Sequence, residues 1–143
     1  MRKYWDPVSR GLVALIFIFS GFGKLMAFDQ TASMMEGAGF PLPALFLVAA
    51  LLIEVLGGIA LLLGYKANWA ALALFLFLIP TTIIFHLAHI HDPEQGQMQM
   101  IQVMKNLAIM GGLLKFYLTG AGACALDSLL ARRRQVAAQQ PAS

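Results

Sequence analysis

Residues 43–64 read PALFLVAALLIEVLGGIALLLG, an apolar run of 22 residues broken by a single charge, Glu54. A helix rises about 1.5 Å per residue, and about 20 mostly apolar residues cross a hydrocarbon core about 30 Å thick. This run therefore predicts a membrane span, with a carboxylate near its middle. A charge in hydrocarbon costs about 2.5–3.5 kcal/mol even on lenient insertion scales, so Glu54 needs a partner, water or a ligand.

Three further stretches share this character. Spans are predicted near Val8–Phe28, Pro43–Gly64, Asn68–Leu87 and Met100–Leu118. The whole chain of 143 residues is 59% hydrophobic and only 12% charged, with a mean hydropathy of +0.74. Soluble domains carry about 25% charged residues, so the composition specifies an all-α integral membrane four-helix bundle. Arg2, Lys3 and Arg10 ahead of Leu12–Phe19 imitate a secretory signal, but no small-x-small cleavage site follows and Lys24 interrupts the run, so the segment is expected to be retained.

Basic residues sort to one side. Arg2, Lys3 and Arg10 precede span one, Lys66 lies between spans two and three, and Arg132, Arg133 and Arg134 follow span four. The two other loops, Asp29–Leu42 and Ala88–Gln99, hold Asp29, Glu36, Asp92 and Glu94 and no Lys or Arg. The positive-inside rule then puts both termini in the cytoplasm. The net charge of +3 reflects these edges, which attract anionic membrane lipid; no aromatic and basic stripe suits nucleic acid.

Turn chemistry divides the chain. Gly64 is placed to cap span two, and the short connection to Trp69 makes spans two and three an antiparallel hairpin. Gln30–Glu36 fits a short surface helix with Met34 and Met35 against the membrane. Pro80 interrupts the hydrogen bonding of span three, where Thr81 and Thr82 can serve the freed carbonyls. Residues 1–131 form one transmembrane domain, in which Leu126, Leu129 and Leu130 fit one face of a short interfacial helix. Residues 132–143 are expected to be a disordered basic cytoplasmic tail.

Five polar residues fall in the outer half of the predicted bundle: Lys24, Glu54, His86, Lys105 and Asn106. Small residues flank them at helical spacing, Ser20 and Gly21 by Lys24, Ala50, Gly57 and Gly58 by Glu54, and Ala108 and Gly112 by Lys105. Such residues let backbones approach, which places the polar positions on packed faces. Two cations above one anion predict a shallow extracytoplasmic pocket with Glu54 at its floor. The same set serves equally as a register-fixing ion-pair cluster.

These residues stand in an ordered pattern: Arg10-Gly-Leu, Phe19-Ser-Gly21-Phe-Gly-Lys24-Leu, Gly39-Phe-Pro41, Glu54-Val-Leu-Gly57-Gly58, Leu63-Gly64, Phe85-His86, Lys105-Asn106-Leu107, Gly111-Gly112, and Gly120-Ala-Gly122 followed by Leu126-Asp127. In that order and spacing, across nearly the whole chain, the sequence resembles the DoxX family of small four-span inner membrane proteins. The resemblance implies a multi-pass protein of the inner (plasma) membrane. It also implies a role as a membrane subunit of thiosulfate:quinone oxidoreductases, or as a partner of soluble redox and sulfur-handling enzymes in oxidative stress.

A quinone has chemical sense at this site. Its two carbonyls accept hydrogen bonds from Lys24, Lys105 or Asn106, and Glu54 or His86 can take or give protons. No cofactor motif is present, so a partner has to supply electrons. The alternatives are a membrane scaffold for a soluble oxidoreductase and a copper or zinc site of His86, His89 and His91 with nearby Met98, Met100 and Met104. A proton-coupled path through four spans with one buried carboxylate would require a homo-oligomer. The lone Cys124 has no second thiol for dithiol chemistry.

Overall fold

The computed structural model describes residues 2–139. Among them are six α-helices and no strand: α1 (Arg2–Met26), α2 (Phe28–Gly37), α3 (Pro43–Leu63), α4 (Ala67–Phe85), α5 (Gly96–Thr119) and α6 (Leu126–Gln139), with a 3-10 turn at Leu87–His89. Four of the helices are long, and α1, α3 and α4 are long and apolar enough to cross a membrane. The fourth, α5, has 24 residues but is more polar through its first half. Their outer surfaces are apolar, with Leu12, Phe19, Leu52, Leu56 and Leu118 exposed on the bundle.

The joints follow the residues. Gly64 takes the left-handed conformation (φ +67°), and the amides of Gly64 and Tyr65 bond back to Leu61 and Ala60, closing α3 as expected of a glycine cap. Two residues later α4 begins, so α3 and α4 form the expected hairpin. Asp127, at the start of α6, accepts from the amides of Lys66 (2.8 Å) and Ala67 (3.1 Å). It satisfies two donors that the first turn of α4 leaves open.

The helices pack in the sequence α1, α3, α4, α5, with α2 laid on one end. Small residues set the closest approach. A Cβ added at Gly21 would lie 2.6 Å from Val55 Cγ2, and one at Gly58 would lie 2.9 Å from Ile18 Cγ1, so α1 and α3 touch almost backbone to backbone. The apolar core of Ala14, Phe17, Leu61, Ala71, Leu74 and Leu113 continues to Ala121 and Ala125, toward the end that carries the termini.

Three expectations change. Helix α2 forms, but Met35 is buried in the bundle and only Met34 is exposed, so α2 is a lid on the protein as well as a surface helix. Thr82 does not serve the proline-freed carbonyls; Thr81 alone bonds back along α4, to the Phe77 carbonyl at 2.8 Å. The tail expected to be disordered from Arg132 is helical as far as Gln139, because Asp127 and Ser128 anchor the first turn of α6 and Ala, Arg and Gln are good helix formers. Residues 140–143 of that tail lie outside the described residues.

Candidate functional site

Ser20 and Lys24 are one turn apart on α1 and face Glu54 of α3. The Lys24 ammonium donates to Glu54 Oε1 at 2.8 Å, to Glu54 Oε2 at 2.9 Å and to Ser20 Oγ at 2.7 Å. Ser20 in turn donates to Glu54 Oε1 at 3.1 Å. Glu54 is only 3% exposed, whereas the Lys24 side chain is 27% exposed. The carboxylate is thus held entirely inside protein, and its cation reaches it from the edge of the bundle.

Asn106 of α5 is buried and donates from Nδ2 to Thr82 Oγ1 at 3.0 Å, tying α5 to α4. At the next level His86 Nδ1 meets Gln99 Oε1 at 2.8 Å, joining the end of α4 to the first turns of α5. Phe40 stacks on Phe85 at 5.9 Å and meets Phe46 edge-on at 5.4 Å, closing the end beneath α2.

Between these groups lies a space of about 870 Å³, bordered by all four long helices and α2. Its walls are mostly apolar, from Ile16 and Phe17 through Leu47 and Phe77 to Ile109, and Lys24, Glu54, His86, Lys105 and Asn106 all border it. Ligand pockets span about 300–1,000 Å³ and combine apolar walls with a few placed polar groups.

Lys105 takes the rim of this space. It is exposed, bonds Gln102 one turn earlier on its own helix, and does not reach Glu54. Lys24–Glu54 is the one ion pair among the described residues. Sequence spacing brought Lys105 to the right wall, but its flexible stem turns toward the rim, as long cationic side chains do where water is nearer.

The three histidines do not converge. Among the described residues no group of three or more His, Cys, Asp or Glu is placed to hold a metal ion. Helix α4 ends at Phe85, and the 3-10 turn beyond it removes the shared helical face that His86 and His89 would have had. His86 is engaged by Gln99, and His91 does not border the space. Outside the spans, Asp92 accepts from the amides of Glu94 and Gln95, which hold its carboxyl below the usual carboxylate range.

Sequence reasoning missed the opposite end. Arg10, read there only as a topology signal, is 2% exposed, and its guanidinium donates to the carbonyls of Ala121, Ala123 (3.4 Å) and Cys124 (3.1 Å). Asp6, one turn earlier, accepts from the Ala123 amide at 2.8 Å. Together they clasp the loop Gly120–Ala125, where Gly120, Gly122 and Cys124 all have positive φ. A charged i, i+4 pair at the start of the first predicted span, matched by a glycine-rich loop after the last one, was the available signal.

The DoxX family model matches residues 7–87, more than half of the chain. The chain is similar to the inner membrane protein YphA of Escherichia coli strain K12, 35% identical over 122 residues, covering 84% of this chain and 86% of that protein. It is also similar to the inner membrane protein YqjF of the same strain, 34% identical over 136 residues, covering 93% and 99%. An uncharacterized protein of Haemophilus influenzae is 33% identical over 130 residues, covering 89% and 91%. No solved structure matches. With its apolar spanning helices, the matched family model and these full-length relatives, the chain belongs to the DoxX family and is a multi-pass inner membrane protein.

Proposed function

We propose that this protein is an accessory membrane component of quinone-linked redox or sulfur metabolism, and that the space beside Glu54 receives the quinone head group. The observation that carries this reading is the neighbourhood of the Ser20–Lys24–Glu54 ring and Asn106 to a ligand-sized, apolar-walled space. Lys24 and Asn106 are donors for quinone carbonyls, and Glu54 is the group able to exchange a proton as those carbonyls become hydroxyls. With both termini cytoplasmic, the site opens toward the periplasmic side. Electrons come from a partner, a soluble oxidoreductase docked on the bundle.

A second reading has its own observation. The ring is closed on itself, since Lys24 already meets both Glu54 oxygens and Ser20, which suits a clamp between α1 and α3 in a pure scaffold. Native mass spectrometry of the detergent-purified chain with a short-chain ubiquinone separates the two. The quinone reading expects saturable one-to-one binding, weakened about tenfold or more by Glu54→Gln, which frees the Lys24 donor to turn to water, or by Asn106→Ala, which removes a donor in a desolvated site. No saturable binding, with a soluble oxidoreductase retained on the purified chain, leaves the scaffold.

A further inference from the structure

Lys105 is the charge left over. The Ser20–Lys24–Glu54 ring is neutral as a whole, one ammonium against one carboxylate. Lys105 adds a second ammonium at the edge of the same space, and among the described residues no carboxylate lies within 4.0 Å of it. Its neighbour Asn106 is tied to Thr82, about a turn short of the end of α4, so Lys105 stands below the level at which α4 ends. Its backbone lies at that depth while its exposed ammonium reaches the rim, where an anion or water can compensate it.

The bundle is also open there. Among the neighbouring pairs of long helices around the bundle, α1 and α5 make the sparsest contact. They approach where Val13 faces Gly112, in the half toward the termini. In the other half the space reaches Ser20 and Lys24 on α1 and Lys105 and Ile109 on α5. Ile101 and Met104, on the turn before Lys105, are exposed and apolar, as suits contact with acyl chains. A molecule entering between α1 and α5 would meet an unpaired cation at the rim, then apolar walls within.

We infer that Lys105 and Gln102 form a rim subsite for the anionic head group of a single-chain amphiphile, a long-chain carboxylate or phosphate monoester, which enters from the bilayer between α1 and α5. The occupant follows from charge complementarity and size: a lone cation selects an anion, and a space of about 870 Å³ beside it suits one chain. The subsite goes beyond the quinone reading, because it requires neither Glu54 nor any redox partner.

The test compares palmitate with hexadecanol, two amphiphiles of equal chain length and different head charge, on the full chain in neutral detergent above neutral pH. Native mass spectrometry should show palmitate binding about tenfold or more tightly than hexadecanol, the worth of a charge-assisted contact. Lys105→Gln should level the two while leaving helicity and thermal unfolding unchanged, and Lys105→Arg should keep the preference. Glu54→Gln should weaken quinone binding about tenfold or more yet leave the palmitate preference intact, so the two readings fail separately. Equal binding of both amphiphiles by the native chain, or an undiminished preference in Lys105→Gln, overturns the inference. Displacement of palmitate by an equal amount of phosphatidylglycerol overturns the single-chain assignment.

Discussion

The two ends of this bundle solve the same problem in opposite ways. At the termini, Arg10 is buried and consumed by backbone carbonyls of the Gly120–Ala125 loop, Asp6 holds an amide of the same loop, and the apolar core fills the space around them. At the α2 end, charged and amide side chains meet one another or other side chains, and a ligand-sized space lies between them. Backbone partners cannot move away without unfolding a loop, whereas side-chain partners can turn toward a newcomer. On the reading proposed above, the difference separates a charge used for closure from charges available for recognition.

The sharpest way to break that comparison is Arg10→Met. It strands three carbonyls, each costing about 1–3 kcal/mol when buried without a donor, and is expected to destabilise the protein by about 5 kcal/mol. Unfolding in mixed micelles followed by far-ultraviolet circular dichroism reads this directly. A loss under about 1 kcal/mol would place the Arg10 clasp at the surface in energetic terms.

Within the α2 end, the partners of the ion pair are unequal. Lys24→Met leaves the Glu54 carboxylate buried with only the Ser20 hydroxyl, and should cost about 3–4 kcal/mol. Glu54→Gln keeps the volume and lets the half-exposed Lys24 stretch to water, so its cost should be about 2 kcal/mol. The same unfolding assay compares them, and a larger loss for Glu54→Gln would reverse the assignment of which charge is trapped.

Asp127→Ala sharpens the closure side. It removes the acceptor for the Lys66 and Ala67 amides and should cost about 1–2 kcal/mol, the worth of a helix cap. The smallest effect belongs to Asp92. Its carboxyl is held below the usual range by two backbone amides, so its contribution is fully present above the unfolded value of about 3.9 and is lost below it, as pH falls through the lower folded value. The stability difference between native chain and Asp92→Ala should shrink on acidification, and at neutral pH it should be far smaller than that of Glu54→Ala.

Hydropathy made the helices legible, because a bilayer imposes a length and composition that few other folds share. Gly64 announced its cap, and the small residues around Lys24 and Glu54 announced a packed face; Gly21 and Gly58 are where α1 and α3 meet. What stayed hidden was whatever depends on backbone partners or on a flexible stem. The carbonyls that ligate Arg10 carry no residue signature, so its burial looked like a topology charge. Four methylenes let Lys105 choose Gln102 over Glu54, and a single 3-10 turn separated histidines that a continued helix would have aligned. The Arg132–Arg134 run looked disordered by composition, yet Asp127 and Ser128 nucleate a helix through it.

The most direct measurement takes quinone affinity and unfolding free energy on the same preparations of Arg10→Lys and Glu54→Gln. The account expects Arg10→Lys to lose stability while its folded fraction binds as the native chain does, and Glu54→Gln to lose affinity by about tenfold or more with the smaller loss of stability. Affinity falling with Arg10→Lys and persisting in Glu54→Gln would contradict the division of the bundle into a closed end and a receptive one.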